Sequence, residues 1–304
     1  MELRQLRHFQ EIVRCASFGQ AAAKLNITQP ALSKSIRNLE RSLDVSLLER
    51  HPAGVAPTEY GRIFLEYAAM VTSELDRAVE QIASIKGQGR GVVRVGAGAT
   101  LLQYLMPKAV KLFMTGGDAT SVTFAQGLRA DLLAMLRRGE IDLIVGSVNP
   151  DQIDDDLRQE LVMEDRLTIV ADRQHPLVGG GQVTFDQMSR YSWVLPDAAE
   201  SEGDRLTRAF RAAGHSAPTC AVRTGSSIFM ASLLRDSQYL SYLPRALIAS
   251  DADYAHLVPL PVAEPIWARV VIGVTYRRRG VMLVSTRRFI NRLKDVGREL
   301  QPYV

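Results

Sequence analysis

Gln20–Leu43 reads QAAAKLNITQPALSKSIRNLERSL. Two short helical periodicities flank Asn26-Ile27, and the second opens at Thr28, whose hydroxyl suits an N-cap. Pro30 is tolerated because the first turn of a helix has N–H groups with no intrahelical acceptor. At about 100° per residue, Leu32, Ile36, Leu39 and Leu43 fall within a sector about 60° wide and must pack on neighbouring helices. Pro30, Ser33, Lys34, Arg37 and Arg41 fall on the opposite side, with Gln29 at its flank and no acidic residue among them. Such a face of hydrogen-bond donors fits the DNA major groove, where base edges present a readable pattern. The helix N-terminus, with free N–H groups and a favourable dipole, also suits phosphate. Thr28 adds a hydroxyl there. Gln29, Pro30, Ser33 and Lys34, on the first turns, are the candidates for base edges; Arg37 and Arg41 suit bases or phosphates. A plain solvated face is the competing reading of periodicity alone.

The flanking segments weigh against that plain reading. Residues 2–15 have Leu3, Leu6, Phe9 and Val13 on one helical face, and Ser17 caps a second helix to about Leu25. After the quoted stretch, LLERHPAGVAP (47–57) places a Pro-Ala-Gly turn between two apolar arms, the pattern of a small β-hairpin or wing, with Arg50 a phosphate candidate. Thr58 then caps a helix reaching about Lys86. Phe64, Ala68, Val71, Leu75, Ala78, Ile82 and Ile85 recur in alternating steps of four and three, which is a heptad seam for a second copy. A rod of about 29 residues spans roughly 43 Å, too long to be buried in its own small domain. Two such units joined along the rod match two half-sites about one DNA turn, or a multiple, apart. Residues 1–87 carry 11 Lys and Arg against 10 Asp and Glu, so any basic footprint is local.

GQGRG (87–91) marks a domain boundary. Beyond it, strand-like runs (VVRVG, SVTFA, IDLIVG, LTIVA, SWVL, CAVRT, YLSYLP, VVIGVTY) alternate with helical ones near 100–114, 129–138, 204–213, 226–236 and 283–298. That alternation predicts an α/β domain with a mostly parallel sheet covered on both faces.

QAAAKLNITQPALSKSIRNLERSLDVSLLER, with a wing and a long helix behind it, resembles the N-terminus of LysR-type transcriptional regulators. VGAGATLLQYLMPKAVKLF, LLAMLRRGEIDLIVG and HPL at 175–177 also resemble segments of that family, so the likeness covers essentially the whole chain. APTEYG (56–61) departs from the family's usual Leu-Thr and Ala-Gly pairs at Ala56 and Tyr60 but keeps Thr58 and Gly61. The resemblance implies a recognition helix starting near Gln29, a dimerising rod and a two-lobed effector domain like a periplasmic binding protein. The expected organisation is a winged helix-turn-helix over 1–57, a linker helix over 58–87 and an effector domain over 88–304. Its first lobe would take about 91–161 plus 266–304, and its second about 162–265. The effector would lie between the lobes, and homodimers or homotetramers are implied.

In open α/β sheets ligands collect at the carboxyl ends of strands. That rule selects Gln126-Gly127-Leu128, Ser147-Val148, Pro196 to Gly203 and Gly225-Ser226-Ser227. Gly98 and Thr100, at the turn after VVRVG, add backbone N–H groups and a hydroxyl suited to a carboxylate. Thr100, Ser226 and Ser227 fit a helix cap as well.

A length of 304 residues allows two or three domains, and 46% apolar and 23% charged residues describe an ordinary globular chain. A net charge of +4 makes an anionic partner plausible without naming one. The N-terminal MELRQLRHFQEIV lacks the apolar core of a signal peptide, no run approaches the roughly 18 apolar residues of a membrane span, and the cytoplasm is the expected compartment. Cys15 and Cys220 have no metal-ligand spacing and suit reducing conditions. Five scattered histidines, the solvated run Asp154–Asp156 and Arg277–Arg279 assemble neither a metal site nor a catalytic group, and GxSxG and P-loop motifs are missing. The expected function is a non-enzymatic, cofactor-free transcription regulator that binds double-stranded operator DNA and a small effector, with a carboxylate as the suggested class and RNA polymerase as a further partner. The alternative is a solute-binding module carrying a helical oligomerisation segment.

Overall fold

Residues 1–52, 54–86, 91–116, 120–149, 154–196, 200–262, 266–267 and 269–301 are described in the structure, a computed structural model. The expected linker break at 87–91 lies, but for Gly91, outside these residues, as do Ala53 at the wing tip and the side chain of Ile85. Two compact units divide the chain: Met1–Val92 with Leu133–Asp142, and Val93–Leu132 with Leu143–Val304.

In the first unit, α1 (Leu3–Cys15) begins where Gln5 accepts the Glu2 N–H at 2.8 Å and ends at Ala16, which takes the left-handed conformation (φ 49°). Ser17 and Thr28 cap α2 (Phe18–Lys24) and α3 (Gln29–Leu43) as their side-chain chemistry predicts. Leu32, Ile36 and Leu39 are buried against Phe9, Ile12, Ala21 and Ala22. The antiparallel wing, β1 (Leu48–His51) and β2 (Gly54–Pro57), is fastened by the Val55 N–H donating to Ala16 O at 2.9 Å. There Gly54 has a φ of 131°, and a Cβ would press on that same carbonyl. Thr58 caps α4 (Glu59–Ile85) by accepting the Gly61 N–H at 3.0 Å, and its own O–H donates to Ser46 O at 2.7 Å. Gly61 itself lies so close to the Leu47 carbonyl that any Cβ would overlap it.

Two residues of the expected seam on α4 pack inside their own unit. Phe64 turns its ring edge-on to Phe9, with centroids 5.4 Å apart, and Ala68 is buried in its own unit. Thr72, next along that side, accepts from Gln10 Nε2 at 3.1 Å. The cause is α1, which packs on this side of α4 and takes the apolar positions nearest the wing. Tyr60, Ile63, Tyr67, Met70, Val71, Leu75, Val79 and Ile82 stay exposed and form the free apolar stripe, with Ala78 also exposed among them.

Beyond α4 the chain runs through β3 (Val92–Ala97), α5 (Ala99–Met114), β4 (Ser121–Gln126), α6 (Arg129–Arg138), β5 (Leu143–Ser147) and β6 (Leu157–Asp165), all in the second unit but for Val92 and for α6 from Leu133 onward. The chain then crosses to β7 (Leu167–Asp172), α7 (Phe185–Met188), β8 (Trp193–Pro196), α8 (Glu200–Ala212) and β9 (Cys220–Thr224). It continues through α9 (Ser227–Leu234), β10 (Ser241–Pro244), α10 (Arg245–Ser250) and β11 (Leu257–Pro259), and returns in β12 (Val270–Arg277) and α11 (Val284–Leu300). One lobe is built on a five-stranded sheet ordered β4-β3-β5-β12-β6. The other holds a three-stranded sheet, β10-β7-β11, and the pair β8-β9.

The expectation of a mostly parallel sheet is corrected. β3 and β5 pair in parallel, as do β8 and β9, but β12 runs antiparallel to both β5 and β6, and β7 is antiparallel to both its neighbours. A strand that returns from the second lobe enters the first sheet from the opposite end, so β12 reverses direction. The crossing between lobes also falls later than residue 161, because β6 stays in the five-stranded sheet through Asp165. On the return, Ile266 and Trp267 still pack in the second lobe. That lobe is centred on Trp193, Phe210 and Met188, and the first on α5 and α11, where Phe113 and Phe289 meet edge-on at 5.3 Å. Each fully buried ring of this kind contributes about 1.5–3 kcal/mol of burial.

Candidate functional site

Two places bring the sequence-predicted residues together. The first is the outer face of α3. Gln29, Pro30, Lys34, Arg37 and Arg41 are exposed and Ser33 is half-buried, all held outward by the buried Leu32, Ile36 and Leu39. Arg37 Nε reaches only the Ser33 carbonyl at 3.4 Å, Arg41 reaches Asn38 at 3.5 Å, and Lys34 bonds to no described residue. These contacts are long, so the cations remain available to an external acceptor. The acid within the helix, Glu40, is spent inward: one carboxylate oxygen accepts the N–H groups of Leu47 (2.8 Å) and Leu48 (3.2 Å) where the chain turns into the wing. Ser35, which shares the helix, bonds His8 Nδ1 at 2.8 Å and so belongs to the core side. Burial, aided by the Arg4 charge, lowers the His8 pKa and keeps that ring neutral. Arg50 sits on the wing with its guanidinium 5.6 Å from the Phe18 ring centroid. The face is therefore cationic and hydroxyl-bearing although the unit as a whole is nearly neutral.

The second place is a cavity of about 180 Å³ in the second unit, between its two lobes. Of the predicted residues, Thr100, Ser147, Gly225 and Ser227 line it, as does Pro196. The others do not. Gly98 is the N-cap position of α5, and Ser226 caps α9, accepting the Phe229 N–H at 3.2 Å. Val148 is buried and donates its N–H to Val271 O at 2.8 Å. Gln126 and Leu128 are exposed beyond β4, Gly127 lies against Leu132, and Gly203 lies within α8. Residues 197–199 lie outside the described residues.

Sequence reasoning missed Tyr104, Asp165, Arg166, Met230 and Tyr242, which complete the lining with Val270 and Ile272. Tyr104 was legible as the helical neighbour of Thr100 one turn on. Asp165 and Arg166 were not, because they follow a strand, LRQELVMED, whose charges hid it. Tyr104 OH donates to Asp165 Oδ2 at 3.0 Å, and Asp165 Oδ1 accepts the N–H groups of Arg166 (2.7 Å) and Ala246 (3.3 Å). Burial raises the Asp165 pKa against these hydrogen bonds; burial and that carboxylate raise the Tyr104 phenol well above its ordinary range. Gln103, on α5, accepts from Ser227 Oγ at 2.5 Å and from Tyr254 OH at 2.7 Å, so one amide oxygen ties a first-lobe helix to two second-lobe elements. The lining is largely apolar, with Thr100, Ser147, Thr224 and Ser227 as its hydroxyl-bearing residues beside the tyrosines, Asp165 as its acid and Arg166 as its cation.

Other motifs resolve into structure. His175 of HPL is buried, donates through Nε2 to Gln238 O at 3.2 Å and accepts the Leu177 N–H through Nδ1 at 3.1 Å; burial lowers its pKa. Asp156 and Arg278 are joined through the backbone at 2.8 Å, which sets the two charge runs near each other. Among the described residues, no group of three His, Cys, Asp or Glu is placed to hold a metal, and no helix is long and apolar enough to cross a membrane.

Two family models match the chain. Residues 3–62 match the bacterial regulatory helix-turn-helix protein of the lysR family, and residues 86–298 match the LysR substrate binding domain. The HTH-type transcriptional regulator PcaQ of Agrobacterium fabrum is 32% identical over 262 residues, covering 86% of this chain and 84% of PcaQ. CbnR, a LysR family transcriptional regulator of known crystal structure, superposes with a TM-score of 0.67 at 20% identity, over 98% of this chain and 99% of CbnR. The structure of full-length CbnR complexed with its target DNA gives the same TM-score and identity, over 97% and 99%.

Proposed function

The chain belongs to the LysR family of bacterial helix-turn-helix transcriptional regulators, and from that premise we propose that α3 reads operator DNA while the cleft in the second unit holds the effector. The observation that carries the first half is the α3 face: capped, cationic, free of acids and mounted on a buried leucine-isoleucine stripe. Gln29, Ser33 and Lys34 meet base edges near the helix N-terminus; Arg37 and Arg41 follow the groove; Arg50 on the wing and Thr28 at the cap meet phosphates. The exposed α4 stripe joins two copies, and the dimer or tetramer so formed places two such helices on one duplex.

The second half rests on the cleft's lining. A small molecule with an apolar body and one anionic end fits it, the anion facing Arg166, Thr100 and Ser147. The effector acts by binding one quaternary arrangement more tightly than another, since equal affinity shifts nothing. The protein works in the cytoplasm by binding rather than turnover, with RNA polymerase as the machinery it influences.

Replacing Arg37 with Ala tests the assignment. Arg37 is exposed and makes one long contact, so the variant keeps its fold. Fluorescence anisotropy against a duplex selected by the wild type is expected to show a loss of about 1–3 kcal/mol with relaxed preference at one base position. Unchanged affinity and preference would remove Arg37 from the interface.

A further inference from the structure

We propose that a polar cavity at the far end of the second lobe, remote from the effector cleft, binds a small zwitterion, an α-amino acid with a polar side chain. The cavity measures about 360 Å³ and is lined by Asp172, Arg173, Gln174, Arg235, Asp236 and His256. Asp172 ends β7, and Leu167 at the opposite end of that strand lines the cleft; five steps of extended chain set the two about 17 Å apart. The two cavities share no lining residue.

Two carboxylates and two guanidiniums line this cavity, and among the described residues none of the four pairs with another. Asp172 is 2% exposed; one of its oxygens accepts the Gln174 N–H at 2.9 Å and the other bonds to no described residue. Arg173 donates through Nη2 to Ala255 O. His256 donates through Nε2 to Ala231 O at 2.9 Å, so its Nδ1 is left to face Arg235 Nη2 at 3.4 Å. Asp236 stands in the left-handed conformation just beyond α9 (φ 51°), and its carboxylate bonds to no described residue. An inorganic anion here would meet both carboxylates, and a metal ion both guanidiniums, so half the lining repels each. A molecule carrying both signs meets neither penalty. Its carboxylate faces Arg235 and Arg173, whose planar forks match it in geometry and charge, and its ammonium faces Asp172 and Asp236. Ala252 and Ala255 complete the described lining, so a bulky apolar body gains little contact, whereas Gln174 offers its amide to a polar one.

The test titrates full-length protein calorimetrically with L-glutamine, with N-acetyl-L-glutamine, which lacks the ammonium, and with L-glutaminamide, which lacks the carboxylate. Arg235 and Asp236 are both exposed, and Asn accepts the left-handed conformation of Asp236, so Arg235→Ala and Asp236→Asn keep the fold. The expected result is saturable binding of glutamine whose midpoint weakens about tenfold or more for each blocked analogue and in each variant, a difference of about 1.4 kcal/mol. The cleft variant Thr100→Val is expected to leave that midpoint in place. No saturable heat with glutamine, a blocked analogue that binds as well as glutamine, or an unmoved midpoint in either cavity variant overturns the proposal. A midpoint moved by Thr100→Val assigns the binding to the cleft and overturns it too.

Discussion

Glu160 shows how much one side chain in this fold is asked to hold. Its carboxylate accepts from Tyr276 OH at 2.5 Å, Arg287 at 2.6 Å and Lys294 at 2.7 Å, pinning β6 to β12 and α11. Burial pushes its pKa upward, but the hydrogen bonds from Lys294, Tyr276 and Arg287 prevail and hold it at about 2, below the usual 4.5. A carboxylate depressed in this way stabilises the fold at any pH above its unfolded value and loses that contribution as pH falls from about 4.5 toward 2. Thermal melts of Glu160→Gln are therefore expected to lie below wild type at neutral pH, with the gap closing across that acid window. A gap independent of pH would contradict the assignment. The sequence offered no sign of this cluster, since its members are spread over β6, β12 and α11 and meet only through the antiparallel register. The α3 donors were legible for the opposite reason: a single helix period places them.

Elements divide the same way. Helix caps at Ser17, Thr28, Thr58 and Ser226 follow from local chemistry, and the wing follows from its turn residues. β6 escaped notice because Arg158, Gln159, Glu160 and Glu164 interrupt its apolar residues, and with it went the lobe crossing and the cleft residues Asp165 and Arg166. On α4, Phe64 and Ala68 of the expected seam pack inside their own unit, because periodicity alone does not say that α1 covers them. The free stripe makes its own prediction. Tyr67, 63% exposed, is expected to tolerate Glu in the folded unit while the variant sediments as a monomer. A Tyr67→Glu protein that keeps the wild-type mass would move the interface elsewhere on the molecule.

At the scale of the molecule, α3, proposed to read DNA, and the cleft proposed to hold the effector belong to different units of one chain. A solute-binding module with an incidental helical segment would have no need of a capped, acid-free α3 face, and residues 3–62 match a regulator's helix-turn-helix. Coupling then requires that effector binding and DNA binding each favour one arrangement of the assembly, with reciprocal effects on affinity. The measurement closest to this account is a footprint of full-length protein on duplexes it selects from a random pool. Two protected half-sites related by a twofold axis, centred about one helical turn or a multiple apart, are predicted, with base preference lost at one position of each half-site in Gln29→Ala. Selection of no sequence, or protection of one half-site without a symmetric mate, would contradict it.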